Sequence, residues 1–186
     1  MILIENAINP LLLRSLWEIW PPSSSRMWYH YSDKNSEKYA TKSHKDIPEL
    51  ANQCIYQMID AVSPVVEDFV FADLMLHGAG MHMLPTGGFL KRHLDSSLME
   101  QTGWKREYSC VLSVNPYWDS DWGGEFVLRD EKTVPSFNQL SVFRCTDDSF
   151  HEVLEVKGPV SRCTLCVFLW SNREQSKNIR KSASFT

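Results

Sequence analysis

Past Pro64 the chain never holds one period for long. Short runs rich in β-branched and aromatic residues alternate with turn residues as far as Trp170. Candidate strands fall at 65–71, 73–78, 80–84, 89–95, 106–115, 125–128, 139–144, 151–156 and 162–170. Turn signals separate them at Pro85-Thr86-Gly87-Gly88, Asn115-Pro116, Gly123-Gly124, Pro135 and Gly158-Pro159. Ahead of these runs the texture is helical. Asn9-Pro10 opens a stretch with Leu11, Leu12, Leu16, Ile19 and Trp20 at near-helical spacing, predicting a short amphipathic helix over 9–20. Leu50, Ile55, Met58, Ile59 and Val62 form the apolar side of a second helix over 47–62. Many short strands behind two helices predict a mainly β fold, a sandwich or jelly roll with helical buttresses.

The 186 residues are most simply one domain: a helical part over about 1–63, a β core over about 64–172, and a basic tail over 173–186 expected to be solvated and mobile. A polar stretch from Pro21 to about Lys45 contains Trp28, Tyr29 and Tyr31 and is expected to be ordered in part. A net charge of −4 lacks the basic footprint of a nucleic-acid binder. No apolar run is long enough to span a bilayer, and the N-terminus lacks the basic leader and small-residue cleavage site of a signal peptide. Five irregularly spaced cysteines fit a reduced, intracellular protein, so a cytoplasmic location is expected.

Three separated residues carry the chemistry. His93 and Asp95 lie two apart at the end of a strand-like run, so an imidazole and a carboxylate share one face. His151, from a distant strand, would complete a 2-His-1-carboxylate face, which suits Fe(II) and leaves coordination positions open. One strand later, Arg162, Thr164, Cys166 and Phe168 alternate against Cys163, Leu165, Val167 and Leu169. An arginine opening an otherwise apolar strand needs an anionic partner, because an unpaired buried charge is costly. The bland alternative makes His93 and Asp95 a surface pair, His151 a core histidine, and Arg162 half of a structural ion pair.

From about Gly87 to Ser171 the chain resembles the 2-oxoglutarate/Fe(II)-dependent dioxygenases, and within them the prolyl 4-hydroxylase-like branch. The resemblance rests on RHLD, REYSCVLSVNPYWDSDWGGEF, HEV and SRCTLCVFLW, in the family's order; Arg106, Asn115, Trp122 and Gly123-Gly124-Glu125 match family positions. It implies a double-stranded β-helix with iron on His93, Asp95 and His151, and 2-oxoglutarate whose far carboxylate pairs with Arg162. Dioxygen would be the oxidant, with ascorbate the candidate reductant. The implied reaction couples decarboxylation of 2-oxoglutarate to succinate with hydroxylation of a substrate, a peptidyl proline or a small molecule. A fold kept without turnover, as a binding module, is the remaining alternative.

One departure is informative. Relatives of this branch supply a tyrosine hydroxyl to the far carboxylate, where this chain has Met83 and Leu90 in the first run and Ser113 in the following strand. Thr164 is the candidate replacement donor and Ser113 the second. Several other groups are weighed against blander roles. Cys163 and Cys166 are three apart, so on a strand they face opposite sides and do not share a metal. His77 and His82 are candidate extra ligands or ordinary partly buried histidines. Trp28-Tyr29-His30-Tyr31 and Tyr117, Trp118 and Trp122 could line a groove or belong to the core. Lys91, Arg92 and Arg106 could meet an acidic substrate, though a solvated basic rim is the commoner arrangement and the one expected.

Overall fold

The computed structural model describes residues 1–42, 44–73, 75–174 and 178–186. Two helices form where the apolar period predicts them. In α1 (Pro10–Glu18) the Asn9 side chain accepts the amides of Leu11 and Leu12, and Pro10 occupies a first-turn position that needs no donor. In α2 (Glu49–Val62) Ala51, Cys54, Ile55, Met58 and Val62 form one buried stripe.

The described strands are β1 (Ile2–Ile4), β2 (Trp28–Ser32), β3 (Ser36–Thr41), β4 (Phe71–Ala72), β5 (Gly80–Leu84), β6 (Phe89–Leu94) and β7 (Lys105–Ser113), followed by β8 (Phe126–Leu128), β9 (Glu131–Thr133), β10 (Leu140–Arg144), β11 (His151–Val153), β12 (Arg162–Ser171) and β13 (Ser184–Phe185). They join antiparallel in the order β1-β10-β7-β12-β5-β3-β6-β11-β8-β9, with β2 on β3, β4 on β12 and β13 on β6. The path curls because β3 changes partner: Tyr39 and Ala40 pair with Met83 and His82 of β5, while Ser36 and Glu37 pair with Leu90 and Phe89 of β6. This gives a jelly-roll core, a five-strand wall through β12 opposed by β6, β11, β8 and β9, with the N-terminal helices packed outside.

The core is divided accordingly. The outer face of β12 (Cys163, Leu165, Val167, Leu169) packs with Leu13, Leu16, Ile55 and Met58 of the helices in one cluster. A smaller cluster of Leu84, Phe126, Leu128, Phe143, Val153 and Val156 lies between the opposed strands, beside the cleft described below.

Several expectations need correction. Of the runs at 65–71 and 73–78, only Phe71 is strand among the described residues, forming β4 with Ala72. The Asp73 carboxylate instead accepts the amides of Met75 and His77, and Leu76 adopts φ 54°, so the chain turns there. Conversely, the polar stretch holds a β2–β3 hairpin, whose turn is built by Asp33 accepting the amides of Asn35 and Ser36. Its strands lack an apolar alternation because pairing with β5 and β6, not a buried face, holds them. In the tail, Gln175, Ser176 and Lys177 lie outside the described residues. Beyond them the chain returns to β6 as β13.

Candidate active site

His93 is the last but one residue of β6 and His151 opens β11; the two are direct cross-strand partners, with ring centroids 4.2 Å apart. Asp95 follows β6, and its Oδ1 lies 3.8 Å from the Nε2 of each histidine. The three donor atoms fall within 4.8 Å of one another, the one such His/Cys/Asp/Glu group among the described residues.

The tautomers follow from the second nitrogens. Nδ1 of His93 is 2.8 Å from the Lys91 carbonyl, and Nδ1 of His151 is 2.9 Å from the Ser149 carbonyl. A carbonyl only accepts, so each Nδ1 donates its hydrogen and each Nε2 turns a lone pair toward Asp95. This outer-partner arrangement orients imidazoles as metal ligands. Burial, reinforced by the neighbouring His151, holds the His93 pKa down to about 4, so the ring is neutral at neutral pH. For Asp95, burial alone would raise the pKa, but Arg106, His151 and the Ser109 hydroxyl together outweigh it and hold the carboxyl well below its usual range. Ser109 donates to Oδ2 at 2.7 Å, and Arg106 Nη1 is 3.4 Å from the same oxygen. Two imidazole nitrogens and one carboxylate, each braced from behind, fit a divalent iron ion.

Arg162 opens the inner face of β12 in the same cleft, which encloses about 600 Å³ free of protein atoms, its open mouth included. It is 4% exposed, its Nε has no hydrogen-bond partner, and no carboxylate lies within ion-pair reach among the described residues. Burial lowers its pKa to about 10, which still leaves it charged at neutral pH. A buried, charged and unpaired guanidinium fits the far carboxylate of 2-oxoglutarate. Gly124 makes room for it. At φ 69° with a Cβ position only 3.2 Å from Arg162 Cδ and 3.1 Å from Trp118, that position admits little besides glycine.

Thr164, two residues along, also lines the cleft, in register with His82 of β5 and Ser113 of β7. Ser113 is buried but does not line it. Of the two positions expected to replace tyrosine, Leu90 lines the cleft, whereas Met83 turns to the helix-side core and its neighbour Leu84 takes the place. His82 lines the cleft 3.4 Å from the Cys166 sulfur, and burial lowers its pKa to about 3; it is no part of the donor triad. His77 pairs with Asp73 away from the cleft. Cys163 and Cys166 do face opposite sides. None of the proposed groove aromatics lines the cleft: Trp28 is core, Tyr29 and Tyr31 are exposed with their rings tilted against each other, and Trp118 packs on the inner cluster.

Three residues escaped the sequence reading. Arg106, expected at a solvated rim, is buried against Asp95, its amide tied to the Ser97 carbonyl of the segment that follows the carboxylate. Ser109 follows on the same face of β7; period two from Arg106 would not reach it, but its register across from Phe168 does. Lys38, on a strand with no apolar signal, lines the cleft. The segment past residue 177 also reaches the site. Arg180 Nε donates to the Asp95 carbonyl at 3.0 Å and its Nη1 meets Asp147 Oδ1 at 2.6 Å, while the Phe185 ring stacks on His93 at 5.2 Å.

The 2OG-Fe(II) oxygenase superfamily model matches residues 79–170, which span β5 to β12 and contain every donor of the triad and Arg162. The chain belongs to the 2OG-Fe(II) oxygenase superfamily. It is an oxidoreductase, a dioxygenase using Fe(II), 2-oxoglutarate and dioxygen. The oxygenase shares its fold with a Pseudomonas putida prolyl-4-hydroxylase (TM-score 0.68, 18% identity, 92% of each chain covered). It is also similar to a viral collagen prolyl hydroxylase from Paramecium Bursaria Chlorella virus-1, solved as a 2OG complex (TM-score 0.65, 11% identity, 91% of this chain and 95% of that one). A Trichoplax adhaerens prolyl hydroxylase in complex with a hypoxia inducible factor peptide fragment gives TM-score 0.61 at 16% identity, covering 91% and 81%. No curated protein matches the sequence significantly. No helix among the described residues is long and apolar enough to cross a membrane.

Proposed function

We propose that this oxygenase hydroxylates a peptide substrate, a prolyl residue being the first candidate, with iron on His93, Asp95 and His151 and the far carboxylate of 2-oxoglutarate on Arg162. The observation that carries the reading is the unpaired Arg162 guanidinium, buried in the same cleft as the triad. When bound, iron and 2-oxoglutarate supply the oxidation: dioxygen is split between succinate and a hydroxylated product, with release of carbon dioxide.

The chain's own residues do the rest. Lys91 and Ser149 carbonyls fix the imidazole tautomers. Ser109 and Arg106 keep the Asp95 carboxylate ionised and aimed. Thr164 offers the hydroxyl that a tyrosine gives in the relatives, and Leu84, Leu90, Phe126 and Val153 keep the cleft wall apolar and exclude water. A peptide is favoured over a metabolite by the likeness in fold to prolyl hydroxylases, one of them holding a peptide. The five free, buried cysteines fit a reducing, cytoplasmic setting.

The test is anaerobic addition of Fe(II) and 2-oxoglutarate followed by admission of oxygen. A metal-to-ligand charge-transfer band and subsequent succinate formation are expected, both lost in His93→Ala. A folded, iron-loaded protein with neither band nor succinate would leave only the binding-module alternative.

A further inference from the structure

The cleft holds more positive charge than one anchor requires. Its lining includes Arg162, Lys38 and a single carboxylate, Asp95, and that carboxylate is already in contact with Arg106, Ser109 and both imidazoles. Two cations are therefore left without an anion. The Lys38 ammonium makes no hydrogen bond or ion pair to any described residue; it lies 5.3 Å over the Tyr31 ring, a contact that attracts the charge without neutralising it. Burial lowers its pKa, a cost that an anion in the cleft would offset.

The sheet register separates the two cations. Leu84 pairs with Arg162 on one side of β5, and the β3–β5 register places Lys38 beside Leu84 on the other. Their backbones are thus two strand spacings apart, about 10 Å. His82 lies between them and feels both charges. Lys38 lies within electrostatic reach of Asp95 and His93 of the triad, whereas Arg162 stands beside the buried, neutral thiols of Cys163 and Cys166. A long flexible ammonium and a planar guanidinium therefore enter the cleft from two sides, the former toward the triad.

We infer that Lys38 is a second anchor for the co-substrate, gripping the carboxylate at the metal end while Arg162 takes the far one. This rests on the reading of the cleft as the 2-oxoglutarate site. It makes recognition two-ended: iron and Lys38 share the 2-oxo-acid end, and Arg162 with Thr164 selects for the second carboxylate.

The experiment is anaerobic titration of the Fe(II) protein with 2-oxoglutarate and with 2-oxobutyrate, which keeps the 2-oxo acid and lacks the far carboxylate. Charge-transfer absorbance reports the affinity. Lys38→Met is expected to weaken both ligands by a similar factor, about tenfold for one charge-assisted contact. Arg162→Met is expected to weaken 2-oxoglutarate alone. Lys38→Arg keeps the cation and should restore both affinities to within about threefold, which covers the case where Lys38→Met folds poorly. Unchanged 2-oxobutyrate binding in Lys38→Met, or loss of 2-oxoglutarate alone, would overturn the assignment. Absence of any band in the wild-type protein would instead overturn the site reading beneath it.

Discussion

The two faces of β12 share one backbone and very nearly one degree of burial, yet they obey different rules. The outer face, Cys163 to Leu169 in steps of two, meets α1 and α2 in a wholly apolar layer. The inner face carries Arg162, Thr164 and Cys166 into a cleft where the guanidinium Nε has no partner. On the outer face every contact serves stability. On the inner face burial works against stability and is useful only once an anion arrives. The difference teaches that the helices do more than cap the sheet: their packing offsets the cost of holding an unpaired charge one residue away.

Substitutions on either side should separate these roles. The largest effect is expected from Asp95→Ala, which removes one donor and strands Arg106: iron-dependent succinate formation should fall by at least about 100-fold, assayed at saturating 2-oxoglutarate. Next, Leu165→Ala on the outer face should lower the unfolding free energy by about 2–5 kcal/mol, read from urea melts, while leaving the 2-oxoglutarate affinity of the folded fraction unchanged. Its neighbour Thr164→Val should do the reverse, weakening 2-oxoglutarate by about threefold to tenfold with a stability change under about 1 kcal/mol. Equal effects of these two on both measurements would erase the distinction.

The smallest effect concerns pH. Burial holds His82 at a pKa of about 3 in the folded chain, against about 6.5 when unfolded. Between those values the unfolded chain binds the extra proton, so stability is full above pH 6.5 and declines as pH falls toward 3. The metal-free protein should lose roughly 1–2 kcal/mol from this group between pH 7 and 5. His82→Phe should flatten that part of the urea-midpoint profile; an unaltered slope would assign the decline elsewhere.

Much of this was legible in the sequence because period two survives where a face is buried. The alternation from Arg162 to Leu169 sorts cleft from core without error, and the strict spacing of His93 and Asp95 places both donors. The illegible parts depend on tertiary pairing. Ser36-Glu37-Lys38 has no strand propensity and becomes one only because β5 and β6 diverge and leave edges to fill, so Lys38 could not be seen at the cleft. Arg106 looks like any rim arginine until the register of β7 sets it behind Asp95. At 73–78 a capping aspartate and a left-handed Leu76 override apolar side chains that read as strand. The tyrosine position slips by one residue, from Met83 to Leu84, because a one-residue error on a strand reverses the face.

One edge of β6 is tiled in turn by β3, through Phe89 and Leu90, and by β13, through His93 and Leu94. Between them, Asn35 accepts the Lys91 amide and Thr186 donates to the Arg92 carbonyl. The strand that carries the metal motif therefore offers no open hydrogen-bonding margin to another molecule. Such margins template strand exchange and aggregation. Loosening the returning segment would expose that margin, and self-association is the expected consequence.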